Sequence, residues 1–163
     1  MMINVLPASI EDRPVLAHLL ELYGHDISEF DGRDVGEHGL YGYHYLDHYW
    51  TEPGRHPFLV RVDGRLAGFA LVSIRVLSDE PVGHVSEFFV MRKYRRMGAG
   101  EVIARDVFRR FPGRWRVSQS SGNLPAQRFW RAVVGRMTLG VYTEGHDEVG
   151  RTTLEFDSSA GAD

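Results

Sequence analysis

Apolar side chains recur along the 163-residue chain in two rhythms, alternating in some stretches and spaced by about three to four in others. Residues 3–7 predict a short strand. Ser9 then caps a helix with Glu11, Asp12 and Pro14 in its first turn, where such residues are favoured. Val15, Leu16, Leu19, Leu20 and Leu22 form its apolar stripe, and Gly24 is read as its end. Residues 24–42 are rich in Gly and Asp and predict a loop, followed by a short helix at 43–50 in the aromatic run from Tyr41 to Trp50.

Strict alternation follows. Residues 58–62 and 66–77 predict a hairpin across Asp63-Gly64, and residues 82–91 a third strand. A helix over 99–110 shows Val102, Ile103, Val107 and Phe108 on its inner face, and Pro112-Gly113 stops it. Residues 115–120 predict a strand. Asn123 opens a helix with Ala126, Phe129, Trp130 and Val133 on one face. Residues 137–143 and 152–156 close the order as a strand pair. The result is one mixed α/β domain over 1–157, with a loose tail at 158–163.

Composition narrows the chemistry. An apolar fraction of 43% and a charged fraction of 25% fit a globular protein with a real core. No cysteine is present, which excludes a thiol nucleophile, a disulfide framework and thiolate metal sites. No apolar run approaches the roughly 20 residues of a membrane span, and the amino terminus lacks a basic leader, so the expectation is a cytoplasmic protein without membrane contact.

The net charge of −3 hides a split. Residues 92–116 hold 9 bases and 2 acids, inside a chain that is otherwise acidic. Such a stretch favours a polyanion. It contains Arg95-x-x-Gly98-x-Gly100, where a strand runs into a helix. Main-chain N–H groups of Arg96, Met97, Gly98, Ala99 and Gly100 at a helix start form a phosphate site, since unpaired donors and the helix dipole both favour negative charge. No Walker loop and no G-x-G-x-x-G dinucleotide motif is present.

The segment EFFVMRKYRRMGAG resembles the acetyl-CoA motif [RQ]-x-x-G-x-[GA] of the GNAT superfamily, the Gcn5-related N-acetyltransferases. Asn123-Leu-Pro-Ala126-Gln-Arg-Phe129-Trp130 resembles that family's second signature, N-x-x-A-x-x-[FL]-[YW], at the expected distance. The order of elements agrees over nearly the whole chain. The resemblance implies a GNAT-like domain: a central, mostly antiparallel sheet of six or seven strands with two splayed central strands, flanked by four helices. It implies acetyl-CoA as donor, with its pyrophosphate on the 96–100 loop. Its pantetheine arm would lie along Phe89, Val90 and Met91, with Arg95, Asn123 and Trp130 beside it. Asn123 is equally a helix N-cap. The cofactor's phosphates suffice as the basic stretch's partner, so no nucleic acid is expected. Arg109, Arg110, Arg114 and Arg116 read as surface.

The implied reaction moves an acetyl group directly to a primary amine. Glu87, beside the motif and between apolar residues, is the candidate general base. In the similar polyamine acetyltransferases the Glu sits one place earlier, where this chain has Ser86. The tyrosine that many members use as general acid is replaced by Trp130, whose indole N–H is no useful acid. Tyr142 is the named substitute, with Ser120 and Ser121 as others; an unperturbed thiol pKa near about 8.5 also allows departure as thiolate. The resemblance places the acceptor at residues 24–56. Ten acids and two arginines from Glu11 to Glu52, with Tyr41, Tyr45 and Trp50, suit a cationic small-molecule amine. The resemblance also allows a homodimer. Two alternatives stand beside this reading: a non-catalytic acyl-CoA sensor, suggested by Trp130, and a metal-dependent hydrolase using His44 and His48 of H-x-x-D-H.

Overall fold

A computed structural model describes residues 1–161. Seven strands form one sheet in the order β1-β2-β3-β4-β5-β7-β6. They are β1 (Ile3–Pro7), β2 (Arg55–Val62), β3 (Arg65–Leu77), β4 (Glu80–Val90), β5 (Arg114–Gln119), β6 (Tyr142–His146) and β7 (Thr152–Asp157). All neighbouring pairs are antiparallel except β4 and β5. The parallel pair is joined by a crossover through α3 (Ala99–Arg110), as a parallel connection requires. The other helices are α1 (Arg13–Asp31), the single turn α2 (His48–Thr51) and α4 (Leu124–Met137). The mixed, mostly antiparallel sheet with four helices is the expected fold class.

Alternation along the strands divides the core in two. Val60, Ala70, Val72, Val117 and Leu154 pack with α3 and α4 on one face. Leu59, Phe69, Leu71 and Phe89 pack with α1 and α2 on the other. Trp115, 1% exposed, anchors the first core against Phe108 in an edge-on pair with centroids 4.8 Å apart.

Several boundaries differ from the expectation. Helix α1 continues through Gly24 to Asp31 and ends at Gly32, in the left-handed region with φ 72°. Gly24 is a packing position: a Cβ there would lie 2.9 Å from the Tyr41 ring. A helical glycine costs about 1 kcal/mol against alanine, which is the cost of seating Tyr41 on the helix. Leu22 and Val102 are exposed; the inner stripes use Leu16, Leu19 and Leu20 in α1, and Ile103, Ala104 and Val107 in α3. The 43–50 helix shrinks to α2, preceded by turns at 44–47. Met137 belongs to α4, and the last hairpin starts only at Tyr142. The tail is pinned at Ser158, whose N–H donates to the Gly113 carbonyl at 2.8 Å while its Oγ accepts from Gly113 N at 3.0 Å. Residues 162 and 163, also expected to be loose, lie outside the described residues. Among the described residues, no helix is long and apolar enough to cross a membrane.

Candidate active site

The sheet opens at its centre. Strand β4 pairs with β5 only from Val82 to Val85, against Arg114 to Val117. Among the described residues, 86–90 of β4 have no partner on that side, and Ser118 and Gln119 of β5 pair only with β7. A bulge in β4 between Val85 and Glu87 accompanies the parting. The result is an open β4 edge over Phe88, Phe89 and Val90, which meets no β5 partner and whose Val90 carbonyl accepts from Arg95 Nε instead.

Just beyond that edge, a short turn leads into α3. Arg96 (φ 62°) and Gly98 (φ 81°) adopt left-handed backbone and turn the chain into the first turn of α3. No side chain caps this helix. Its first N–H groups are free for an anion. Gly100 has a different reason: a Cβ there would lie 2.8 Å from the Phe129 ring. Phe129 thus buttresses the loop, a role the second signature alone does not reveal. Met97 is exposed and Ala99 is buried beneath the loop.

Arginine placement narrows the charge argument. Arg95 pairs with Asp26 of α1, donates from Nε to the Val90 carbonyl at 2.6 Å, and covers the Phe89 ring. Arg92 shares Asp26. Both therefore strap the loop to α1. Among the described residues, Lys93 and Arg96 form no ion pair, so the free positive charge lies close to the loop's amides. Asn123 acts as the α4 cap, its Oδ1 accepting from Ala126 N at 3.1 Å. Trp130 is buried in the core with Phe88 and Phe108 and takes a packing role.

Glu87 projects to the α1 face, as its pairing with Leu71 dictates. Tyr23 of α1 donates its phenol to Glu87 Oε2 at 2.5 Å. Burial raises the Glu87 pKa above the ordinary range, while bonds from Tyr23 and Tyr43 and the charges of Arg33 and Arg151 act against it. Burial, then the Glu87 charge, raises both tyrosines, so both stay protonated and donate at neutral pH. Tyr43 lies in the aromatic run read from sequence as the acceptor region, and Tyr23 is the residue that sequence reasoning missed. The available signal was Tyr23's place on the apolar stripe of α1, one turn past Leu19 and Leu20.

A cavity of about 430 Å³ opens beside Glu87 on this face. Tyr43 and Tyr45, stacked edge-on at 6.2 Å, form one wall. Arg55 of β2, Arg75 of β3, His84 of β4 and Arg116 of β5 form the floor, with Ser118 and Arg151 at the side. Glu87 is the one acid in this lining, which reverses the charge expected from residues 11–52. Arg116, read from sequence as surface, is here a cavity residue. A neighbouring recess of about 390 Å³ contains Tyr41, His44, Arg33, Asp31 and Asp34, and shares Tyr43 and Tyr45.

Two expected residues lie elsewhere. Trp50 donates its indole N–H to the Ala8 carbonyl at 3.0 Å and lines neither cavity. Tyr142 sits on edge strand β6, three strands from β4, and its register leads through Phe156 and Trp115 to Gly83. Strand spacing puts it about 14 Å from β4, too far to serve Glu87's chemistry. His44 and His48 do not share a helix face, because His44 lies in the preceding turn. Among the described residues, no three metal-type side chains gather.

The comparisons agree with this geometry. The sequence matches the Acetyltransferase (GNAT) family over residues 19–135. It has no significant match among curated proteins. Among solved structures, an acetyltransferase from Thermus thermophilus is similar at 15% identity and TM-score 0.73, over 96% of this chain and 97% of that one. The aminoglycoside acetyltransferase AAC(6')-Ib in complex with coenzyme A follows at 14% and 0.68, over 98% and 96%. The PaiA N-acetyltransferase of Thermoplasma acidophilum in complex with coenzyme A gives 12% and 0.67, over 96% and 99%. These likenesses show the shared fold, and with the family match over most of its length the chain belongs to the GNAT acetyltransferases.

Proposed function

We propose that the protein moves an acetyl group from acetyl-CoA to a small primary amine, directly, in a ternary complex. The observation that carries this is the parting of β4 from β5 at the point where Glu87 projects, with the uncapped start of α3 at the end of the same strand. Acetyl-CoA supplies an activated acetyl thioester. The amides of the loop and helix start from Arg96 to Gly100, with the side chains of Arg96 and Lys93, hold its phosphates. The open edge at Phe89, Val90 and Met91 holds the pantetheine arm as an added strand, and a main-chain N–H there polarises the carbonyl. Glu87 takes the amine's proton, directly or through water. The amide N–C bond forms, the C–S bond breaks, the electron pair leaves on sulfur and the proton rests on Glu87.

Gln119 fits the same donor. It is 6% exposed on β5 just past the parting, and neither polar atom of its amide has a protein partner. An orphaned buried amide costs about 1–3 kcal/mol. Gln119→Leu is therefore expected to raise the melting temperature of the free protein and to weaken CoA binding in calorimetry. Unchanged affinity removes Gln119 from the donor site.

Tyr23→Phe removes a bond that lowers the Glu87 pKa. The acidic limb of the kcat/KM profile is expected to move to higher pH. A limb that stays put separates Glu87 from that titration.

The reading itself is tested by thermal shift with acetyl-CoA and CoA, then by free-thiol release over an amine panel. Both CoA species should stabilise the protein, and an amine should release thiol. No stabilisation by either overturns the reading. Stabilisation with no release from any amine favours an acyl-CoA-binding domain.

A further inference from the structure

The cavity beside Glu87 carries more positive charge than proton removal from an amine requires. Arg55, Arg116 and Arg151 each meet an acid outside the lining, and each does so through Nε. Arg55 Nε lies 2.7 Å from Glu52, Arg116 Nε 3.1 Å from Glu155, and Arg151 Nε 2.6 Å from Asp147. At Arg55 and Arg151 that contact is a hydrogen bond, which orients the guanidinium and leaves its two terminal nitrogens outside the closest contact; Arg116 Nε has no hydrogen-bond partner among the described residues. Arg75 has no ion pair among the described residues.

Register explains the convergence. Ser73 of β3 stands opposite both Arg55 and His84, and His84 stands opposite Arg116. Opposed residues share a face, so these side chains rise together from the α1 side of the sheet. His84 Nε2 is buried there with no hydrogen-bond partner. Burial and the charges of Arg75 and Arg116 hold the His84 pKa down to about 4, with Glu155 acting the other way. The imidazole is therefore neutral at pH 7, beside the Arg75 guanidinium, which has no ion pair among the described residues.

We propose that this cavity selects an acceptor amine carrying an oxyanion, a carboxylate or a phosphate, which Arg75 and Arg116 bind with His84. The proposal rests on the acetyl-transfer reading and names its acceptor class. His84 and Glu87 stand opposite Ser73 and Leu71, two positions apart on β3 across the bulge, so they lie roughly 7 Å apart along β4. One small molecule spans that interval, with its amine at Glu87 and its anion at the arginines. Tyr43 and Tyr45 close the side between them. A polycationic amine meets four arginines and one acid in the same space.

The test measures free-thiol release by the full-length protein with acetyl-CoA. Common L-amino acids are compared with their carboxamides, phosphoethanolamine with ethanolamine, and spermidine serves as the polycation. The best anionic amine should exceed its uncharged counterpart by about tenfold or more in kcat/KM, as expected for hydrogen bonds to a charged group. Arg75→Gln, at an exposed position without an ion pair, should remove most of that advantage by raising KM. Whether carboxylates or phosphates lead identifies the anion. An uncharged or polycationic best acceptor overturns the proposal while leaving acetyl transfer intact.

A second readout needs no turnover. His84 is titrated by NMR with and without inorganic phosphate or acetate. Its pKa should rise with anion in the wild type, and not in Arg75→Gln. An unmoved His84 with both anions overturns the anion site whatever the turnover shows. If no amine releases thiol, the transfer reading fails and this titration still decides the site.

Discussion

Glu87→Gln is expected to lower kcat/KM by about 10²–10⁴-fold at neutral pH, the usual contribution of a positioned acid or base. Coenzyme A affinity should be unchanged, because the phosphate loop and the open β4 edge do not use this side chain. The same change is expected to stabilise the fold. Burial raises the folded-state pKa of Glu87. A carboxyl with a raised pKa contributes stability that is fully present below its unfolded value and is lost as pH rises through the folded one. Glutamine does not titrate, and its amide oxygen still accepts from Tyr23. The variant should therefore gain melting temperature relative to wild type as pH rises from about 4 to about 8. Stopped-assay kinetics and thermal denaturation at both pH values check the pair of effects. An unchanged rate removes Glu87 as the base.

Gly68→Ala is expected to destabilise the protein by about 3 kcal/mol, at the upper end of overpacking costs. A Cβ at Gly68 would lie 1.9 Å from the Phe89 carbonyl oxygen and 3.2 Å from the Val90 Cα. Those are main-chain atoms of the neighbouring strand, so no rotamer change relieves the contact. Gly68 pairs with Val90, and Met91 N donates to the adjacent Ala67 carbonyl at 2.8 Å. The displacement therefore falls on the segment that carries the open edge into the α3 loop. The melting temperature should fall by roughly 6–12 °C, and CoA affinity should fall with it. A loss below about 1 kcal/mol in denaturant titration would show that β4 yields more easily than a paired strand should.

Legibility from sequence followed the range of the forces involved. Strand alternation, the Asp63-Gly64 hairpin turn, the glycines of the α3 loop and the Asn123 cap are local devices. Each acts over a few residues and is written in consecutive positions. Glu87 was readable as a candidate for the same reason, since it lies a few residues before the loop. Helix α1 was shortened because Gly24 carries a strong local stop signal. Its contact with Tyr41, seventeen positions on by sequence number, outweighs that signal.

The site's chemistry depended on contacts of longer range. Tyr23 reaches Glu87 across 64 positions of sequence. The arginines of the cavity come from β2, β3, β5 and the turn before β7; register brings the three strand arginines to one face, and the β6–β7 turn adds Arg151. The acid-rich segment 11–52 suggested a cationic acceptor because composition sums charges without regard to direction. In the fold, Asp26 turns to the loop arginines and Glu21 accepts from the amides of Tyr41 and Gly42. The order of elements, the glycine loop at the start of α3 and the candidate acid beside it could be read from the chain alone, because short-range sterics and hydrogen bonding specify them. The charge of the cavity and the partners of Glu87 were decided by packing, because Coulomb and hydrogen-bond energies act between neighbours in space.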